Sequence, residues 1–387
     1  MKHKQILKIG LAALLIPALG MAGLAGMVLS SLYGGDRFYT PLIGIGTVGV
    51  LAALIVLLFS RIPIRKTLLA ISAGAAIFGV AIGIYEINRA YHNSFARVDQ
   101  GVDLYAYQPF REDTKAARLD RPAALRIDGQ PPRIDGATAL YPLYAAFAQA
   151  VYPEGEYEVY GSEVQSSNTV YAYASLIKGE TDIVFAAHPS QQQLEEAKAA
   201  GIELKLTPIG REAFVFFVQA DNPVRGLTME DIRDIYSGRV TNWWDVGGKD
   251  SQIRAFQRPE NSGSQTALQR LMEGDELMTP PKEDVAAGMG GIIEQTADYR
   301  NYPNALGYSF LFFATEMVGG GEIRLLSVDG VYPNKQTIAS GAYPLTSEFY
   351  AVTRDSGHPQ VEPFLEWILS EEGQELVEKT GYIPLEG

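Results

Sequence analysis

The chain has no cysteine in its 387 residues. That excludes disulfides, thiolate metal sites, cysteine nucleophiles and a lipid-modified N-terminal cysteine. Histidine is nearly as scarce: only His3, His92, His188 and His358 occur, with no His-Glu-x-x-His pair and no His/carboxylate spacing suited to a metal. Neither a metal ion nor another cofactor is therefore expected. Basic charge is also in deficit, 32 Lys and Arg against 45 Asp and Glu for a net charge of -13, and no cationic stripe runs along the chain. A surface that follows a phosphate backbone needs clustered cations to displace counterions, so nucleic acid is excluded as a partner. Gly-x-Ser-x-Gly is missing, and Gly247-Gly248-Lys249 lacks both the upstream glycine spacing and the following Ser or Thr of a nucleotide P-loop.

Charge of either sign disappears altogether from residues 9–33, 38–60 and 67–85. Each stretch is close to the roughly 20 residues that cross a bilayer, so three transmembrane helices are expected. Lys2, Lys4 and Lys8 precede the first, and Arg61, Arg65 and Lys66 separate the second from the third. The positive-inside tendency puts both groups in the cytoplasm and everything after Tyr85 outside the cell membrane. A cleaved signal peptide with a small-residue site at residues 22–25 is the competing reading of the first span. Gly79 and Gly83 form a small-xxx-small pair that would let helices approach closely. Gly44, Gly46 and Gly49 match a dinucleotide-binding pattern only formally, because they lie inside an apolar span.

The remainder carries most of the acidic residues and reads as a soluble α/β domain. Residues 181–187, 213–218, 323–328 and 348–353 are short β-branched and aromatic runs expected as strands. Residues 142–151, 191–200, 228–236, 265–272 and 361–380 show the three-to-four spacing of amphipathic helices. Such alternation implies helices layered on mostly parallel sheets. Residues 288–291 are expected as a tight turn into a further helix.

In this fold class anions sit where helices begin, because unpaired N–H groups and the helix dipole both favour negative charge. Three segments have that form: Asp135-Gly136-Ala137-Thr138, Ser166-Ser167-Asn168-Thr169 and Asn261-Ser262-Gly263-Ser264. Ordinary N-capping explains any one of them. The third differs, since Gln257-Arg258-Pro259-Glu260 sets a cation and an acid just ahead of the Ser-Gly-Ser turn. Arg258 is suited to hold an oxyanion with a bidentate fork while Ser262, Ser264 and the Gly263 amide complete its coordination. Glu260 is suited to accept a hydrogen bond from a protonated oxyanion such as phosphate, which sulfate has no proton to make. The alternative for Arg258 and Glu260 is a surface ion pair in a loop. Trp243-Trp244 offers a sugar-stacking platform as the competing reading from another class; adjacent aromatics of this kind are otherwise divided between core and surface.

These blocks are similar to those of the phosphate-binding proteins of ABC phosphate transporters. The resemblance covers about residues 133–387. It includes Asp135-Gly136-Ala137-Thr138 before Tyr141-Pro142-Leu143, Gly179-Glu180-Thr181-Asp182-Ile183 with Pro189 downstream, Asp231-Ile232, Ile235-Tyr236-Ser237-Gly238 and Thr241-Asn242-Trp243. Further on come Arg258 to Ser264, Ala305-Leu306-Gly307-Tyr308 and Gly381-Tyr382-Ile383-Pro384-Leu385. It implies a two-lobed periplasmic-binding-protein-like (type II) α/β domain that closes on phosphate and releases it to a membrane permease. By the family's pattern, Thr138, the Ala139 amide and a hydroxyl near Ser167 bind from lobe one. Arg258, Glu260, Ser262, Gly263 and Ser264 bind from lobe two.

The expected organisation is a membrane anchor over residues 1–90, a polar stalk over 91–132, lobe one over 133–219 and 321–387, and lobe two over 220–320. Tyr105, Tyr107 and Phe110 in the stalk are available to pack on the domain. Two features depart from the family. Many phosphate binders carry an aspartate just after the strand at residues 181–187, where this chain has Ala186-Ala187-His188-Pro189; His188 is a substitute contact or an exposed loop residue. The three-span anchor also admits a sensor or accessory role instead of delivery to a permease. Hydrolysis of a phosphoester is the distant alternative, with Ser262 or Ser264 and His188 as its nucleophile and base.

Overall fold

The computed structural model describes residues 2–32, 38–94, 103–281, 302–317, 323–355 and 357–385. The turn expected at residues 288–291 lies outside them. Two compact units divide the chain, Met1–Ser94 and Phe95–Gly387.

The first unit consists of α1 (Lys2–Leu32), α2 (Tyr39–Phe59) and α3 (Ile64–Asn93). All three are long and apolar enough to cross a membrane. Large apolar side chains such as Leu14, Val48 and Ile77 are exposed along them, a pattern that a lipid environment would satisfy. Side chains join the helices at polar points: Lys8 Nζ donates to Leu58 O at 2.6 Å, and the Tyr39 hydroxyl donates to Glu86. The close approach expected at Gly79 and Gly83 does not occur there, for a Cβ at either position would meet open space. It occurs at Gly23, where a Cβ would stand 2.4 Å from Thr47 Oγ1.

After a 3₁₀ turn (Leu104–Tyr107), the second unit runs through β1 (Ile134–Gly136), α4 (Tyr141–Val151), α5 (Thr169–Lys178), β2 (Ile183–Ala186), α6 (Gln191–Ala199), β3 (Lys205–Gln219), β4 (Gly226–Leu227) and α7 (Met229–Ser237). It continues through β5 (Arg254–Ala255), α8 (Gly263–Leu271), β6 (Ala305–Phe310) and a short π-helix (Phe313–Met317) to β7 (Ile323–Leu325), β8 (Ser327–Val328) and α9 (Lys335–Ala339). The last elements are β9 (Thr346–Thr353), α10 (Val361–Ile368) and α11 (Glu371–Thr380). The helix expected over 361–380 is thus broken. A Cβ on Gly373 would lie 2.2 Å from Ile368 O, so α11 turns back tightly on the end of α10.

Seven strands join in the order β1-β2-β9-β3-β6-β5, with β7 also on β3. The expectation of mostly parallel sheets needs correction. β1–β2 and β5–β6 are parallel, but β9 pairs antiparallel with both β2 and β3, and β6 and β7 pair antiparallel with β3. The reason is β3, which at 15 residues is long enough to serve two groups of strands. Its first part, through Ala213, pairs with β9; from Phe214 it pairs with β6, in the register Phe214↔Phe310.

Two large cores follow from that division. The first gathers Tyr144, Phe147, Phe185, Phe364, Trp367 and Ile368 around α4 and α10. The second gathers Phe216, Tyr236, Trp243, Leu268 and Tyr308 on the other part of β3. Each such side chain contributes roughly 1.5–3 kcal/mol on burial. The second core reaches past the lobe boundary expected at residue 320, because β7 pairs with β3 and Leu326, Val328, Ile338 and Tyr343 pack into it. The stretch expected as a stalk is no free spacer over its described part: Leu104, Ala116 and Ile127 are buried in the first core, with Tyr107 and Phe110 against it.

Candidate functional site

A cavity of about 260 Å³ opens among elements of the two cores. Three chain segments that begin helices converge on its wall. Thr138, Ala139 and Leu140 come from the turn before α4, Asn168 to Tyr171 from the start of α5, and Ser262, Gly263 and Ser264 from the start of α8. Arg258 and Glu260 line it as well. Of the eight residues expected to bind, seven therefore share one cavity.

The first segment is set by Gly136. A Cβ there would stand 2.2 Å from the Phe185 carbonyl oxygen, so only glycine lets β1 lie against β2 and turn at once. The Ala137 amide then donates to Phe185 O at 2.8 Å, and Thr138–Leu140 coil into a 3₁₀ turn leading into α4. Thr138 and Ala139 are both buried at this corner.

Ser167 is the exception: it does not line the cavity wall. Its Oγ donates to Asp135 Oδ2 at 2.6 Å and its amide to Asp135 Oδ1 at 2.8 Å. Gln165 Nε2 and the Gly136 amide supply two more donors to the same carboxylate. Asp135 is fully buried; burial raises its carboxyl above the usual range, and the Ser167 hydroxyl works against that. Ser167 is a bracket that fixes the loop, and it is absent from the cavity wall. Thr169 does line it, at the first turn of a helix whose Val170 and Tyr171 amides are capped by Asn168 Oδ1.

On the third segment Ser262 is the N-cap of α8, its Oγ accepting from the Gln265 amide at 3.4 Å. The Gly263 and Ser264 amides precede that bond at the start of the helix, where N–H groups have no intrahelical acceptor. A Cβ on Gly263 would come to 3.6 Å of both the Ala187 Cβ and Thr169 Oγ1. The α8 start is thus in near contact with elements of the first core.

Arg258 is only 8% exposed, which rules out the surface ion pair. Its amide donates to Gln265 Oε1 and to the Tyr308 hydroxyl oxygen, each at 2.9 Å. Gln265 in turn donates to Gln257, whose Nε2 donates to Met278 O at 2.8 Å. Burial lowers the guanidinium's pKa, as expected of a desolvated cation, and an anion in the cavity would compensate it. Glu260 is exposed, and its Oε2 accepts from Gln269 Nε2 at 2.8 Å.

His188 does not share this cavity. It lines a neighbouring one with Arg270 and Tyr350, and its Nδ1 lies 2.9 Å from Pro189 O. The nucleophile–base pair with Ser262 or Ser264 is not assembled. Trp243 is buried, with its indole N–H donating to Asn304 O at 2.9 Å, while Trp244 is 70% exposed; the pair makes no platform. No cluster suited to a metal occurs among the described residues.

Several cavity residues escaped sequence reasoning, among them Ser309, Ser347, Glu348 and Glu212. Glu212, in the middle of β3, lines the wall and is 7% exposed. A lone acid in a strand carries no motif; its burial follows from β3 passing between the cores.

A family model for the PBP superfamily domain matches residues 128–372. The phosphate-binding protein PstS of Bacillus subtilis (strain 168) is 27% identical over 257 residues, covering 65% of this chain and 80% of its own length. PstS of Borreliella burgdorferi is 28% identical over 186 residues, covering 46% and 65%. A crystal structure described as a Clostridium perfringens phosphate ABC transporter substrate-binding protein with bound phosphate superposes with a TM-score of 0.50 at 24% identity. It covers 65% of this chain and 98% of that one, a likeness of fold.

Proposed function

The chain belongs to the PBP superfamily, and from that premise we propose that it captures inorganic phosphate between two lobes for delivery to an ABC permease. The observation that carries this reading is the meeting of Thr138, Thr169, Ser262, Gly263 and Ser264 with the buried Arg258 in one cavity. Two relatives whose names state phosphate binding lend it further support.

The chemistry follows from the wall. Amides at helix starts and hydroxyls donate to the anion's oxygens, and the Arg258 fork neutralises its charge. Glu260 accepts from the proton that monohydrogen or dihydrogen phosphate carries. Sulfate carries no such proton, so it forgoes that hydrogen bond and meets like charge at Glu260. The role is capture, not catalysis.

On this reading, and by the cores their residues join, residues 103–213, 346–355 and 357–385 belong to one lobe, and residues 214–281, 302–310 and 323–345 to the other. β3 runs through both, so closure is a hinge about strands that cross between them. Phosphate would shift the equilibrium only by contacts it makes with both lobes at once. The three apolar helices would anchor the protein, with the N-terminus in the cytoplasm and the binding domain outside.

The test is the unfolding temperature of the full chain in detergent, stripped of ligand and then given phosphate or sulfate. A ligand that binds only the folded state raises that temperature by mass action. A rise with phosphate and none with sulfate is expected; equal response to both, or to neither, would contradict the reading.

A further inference from the structure

Glu212 lies on β3 opposite Ser347 of β9, one residue before the last pair those strands make. Its Oε1 accepts from the Phe312 amide at 2.6 Å. Among the described residues it makes no ion pair, yet it shares the cavity wall with Thr138, Ala139 and the α8 start. We propose that Glu212 is a ligand-facing group of the anion site that keeps its proton at neutral pH and donates it in a hydrogen bond to the bound oxyanion. This rests on the phosphate reading and deepens it, because it makes capture depend on a proton held by the protein as well as on the ligand's own.

Three observations converge. A carboxylate buried without a cation is costly, and such a group neutralises itself instead. Burial pushes the Glu212 carboxyl up to about 8, with the Phe312 amide opposing that rise. An ionised Glu212 would also add to the negative charge of a cavity meant for an anion and already lined by Glu260 and Glu348, whereas the neutral acid supplies a donor.

Charged groups stand on both sides of Glu212, yet burial and the Phe312 amide are what set its carboxyl. On the ligand side the charged groups are Arg258, Glu260 and Glu348, and Arg258 is the group already committed to the oxyanion. Behind Glu212 a second cavity brings Lys115 from the segment before β1, Arg211 from β3, Glu316 from the π-helix, Lys335 from α9 and Lys379 from α11. Tyr107 and Tyr382 also face it there, and burial raises both phenols, leaving them neutral donors. Lys379 is engaged by Asp120 and Glu375 at 2.8 and 2.9 Å.

The experiment compares phosphate affinity of the full chain and of Glu212→Gln, in detergent, from pH 6 to pH 9. Phosphate's own titration is common to both proteins, so the difference between their profiles isolates residue 212. Above about pH 8 the unaltered protein should lose affinity more steeply than Glu212→Gln, by an extra factor approaching about tenfold per pH unit. Parallel profiles would overturn the inference. No binding by either protein at any pH would overturn the phosphate reading itself, and the inference with it. Should Glu212→Gln fail to fold, infrared spectroscopy of the unaltered chain decides: the band of a protonated carboxyl should vanish on raising the pH, and do so at higher pH with phosphate than without. A band indifferent to phosphate would contradict the proposal.

Discussion

Ser190 Oγ donates to Asn261 Oδ1 at 2.8 Å, joining the cap of α6 to the turn that opens α8. Asn261 answers through its Nδ2, which donates to Gln192 Oε1 at 2.8 Å, and its carbonyl accepts from Gln193 Nε2 at 3.4 Å. One residue thus ties α6 to the start of α8 immediately beside Ser262 and Gly263. Its backbone is left-handed, at φ 64°, a conformation asparagine and glycine tolerate better than others.

Asn261→Gly should keep the backbone and remove the side-chain bonds. If they hold the closed state, phosphate should dissociate about tenfold faster, the worth of one or two hydrogen bonds at ~1 kcal/mol each. Stopped-flow displacement measures this; an unchanged off-rate would show that the contact is incidental to closure.

Arg258→Lys keeps the charge but loses the planar fork, and phosphate affinity should fall by about tenfold or more. Unfolding temperature without ligand should change little compared with that loss. A lysine variant that binds as well as the unaltered chain would make Arg258 structural only.

Gly136→Ala and Gly263→Ala should separate folding from binding. The first forces a Cβ to 2.2 Å from Phe185 O, and a cost of about 2 kcal/mol or more is expected in thermal unfolding. The second meets neighbours at ordinary contact distances, 3.6 Å and beyond, so the fold should persist while the methyl crowds the junction with Ala187. Comparable destabilisation by both would contradict this assignment.

Glu212 also links stability to pH. Its folded pKa is raised, so the folded state holds a proton that the unfolded chain gives up. Its contribution is full below the unfolded value near 4.5 and is lost as the pH rises through about 8. The unfolding temperature of the unaltered chain, relative to Glu212→Gln, should decline across that window and level off above it. A flat difference would mean that Glu212 titrates normally.

Much of the site was legible because its residues announce themselves locally. Asp135-Gly136-Ala137-Thr138 and Arg258 to Ser264 are short segments whose small residues, hydroxyls and cation suit an anion, and both line the cavity. Ser167 lies off that wall because its partner, Asp135, 32 residues away, takes its hydroxyl hydrogen bond. Glu212 gave no signal at all, for a strand residue's burial is decided by what crosses over it. The same holds for Leu104, Ala116 and Ile127, set in a polar stretch yet packed in the first core. Residues 323–328 read as one strand, but Leu326 interrupts them, and β7 joins β3 while β8 pairs with β4. Strand period was readable; strand partners were not.

The central claim, capture of phosphate at the Arg258 cavity, is tested most directly by calorimetric titration of the full, ligand-stripped chain with phosphate and then sulfate, alongside Arg258→Ala. The account predicts heat from phosphate, none from sulfate, and loss of the phosphate signal in the variant. Silence with both anions, or phosphate binding untouched by Arg258→Ala, would contradict it.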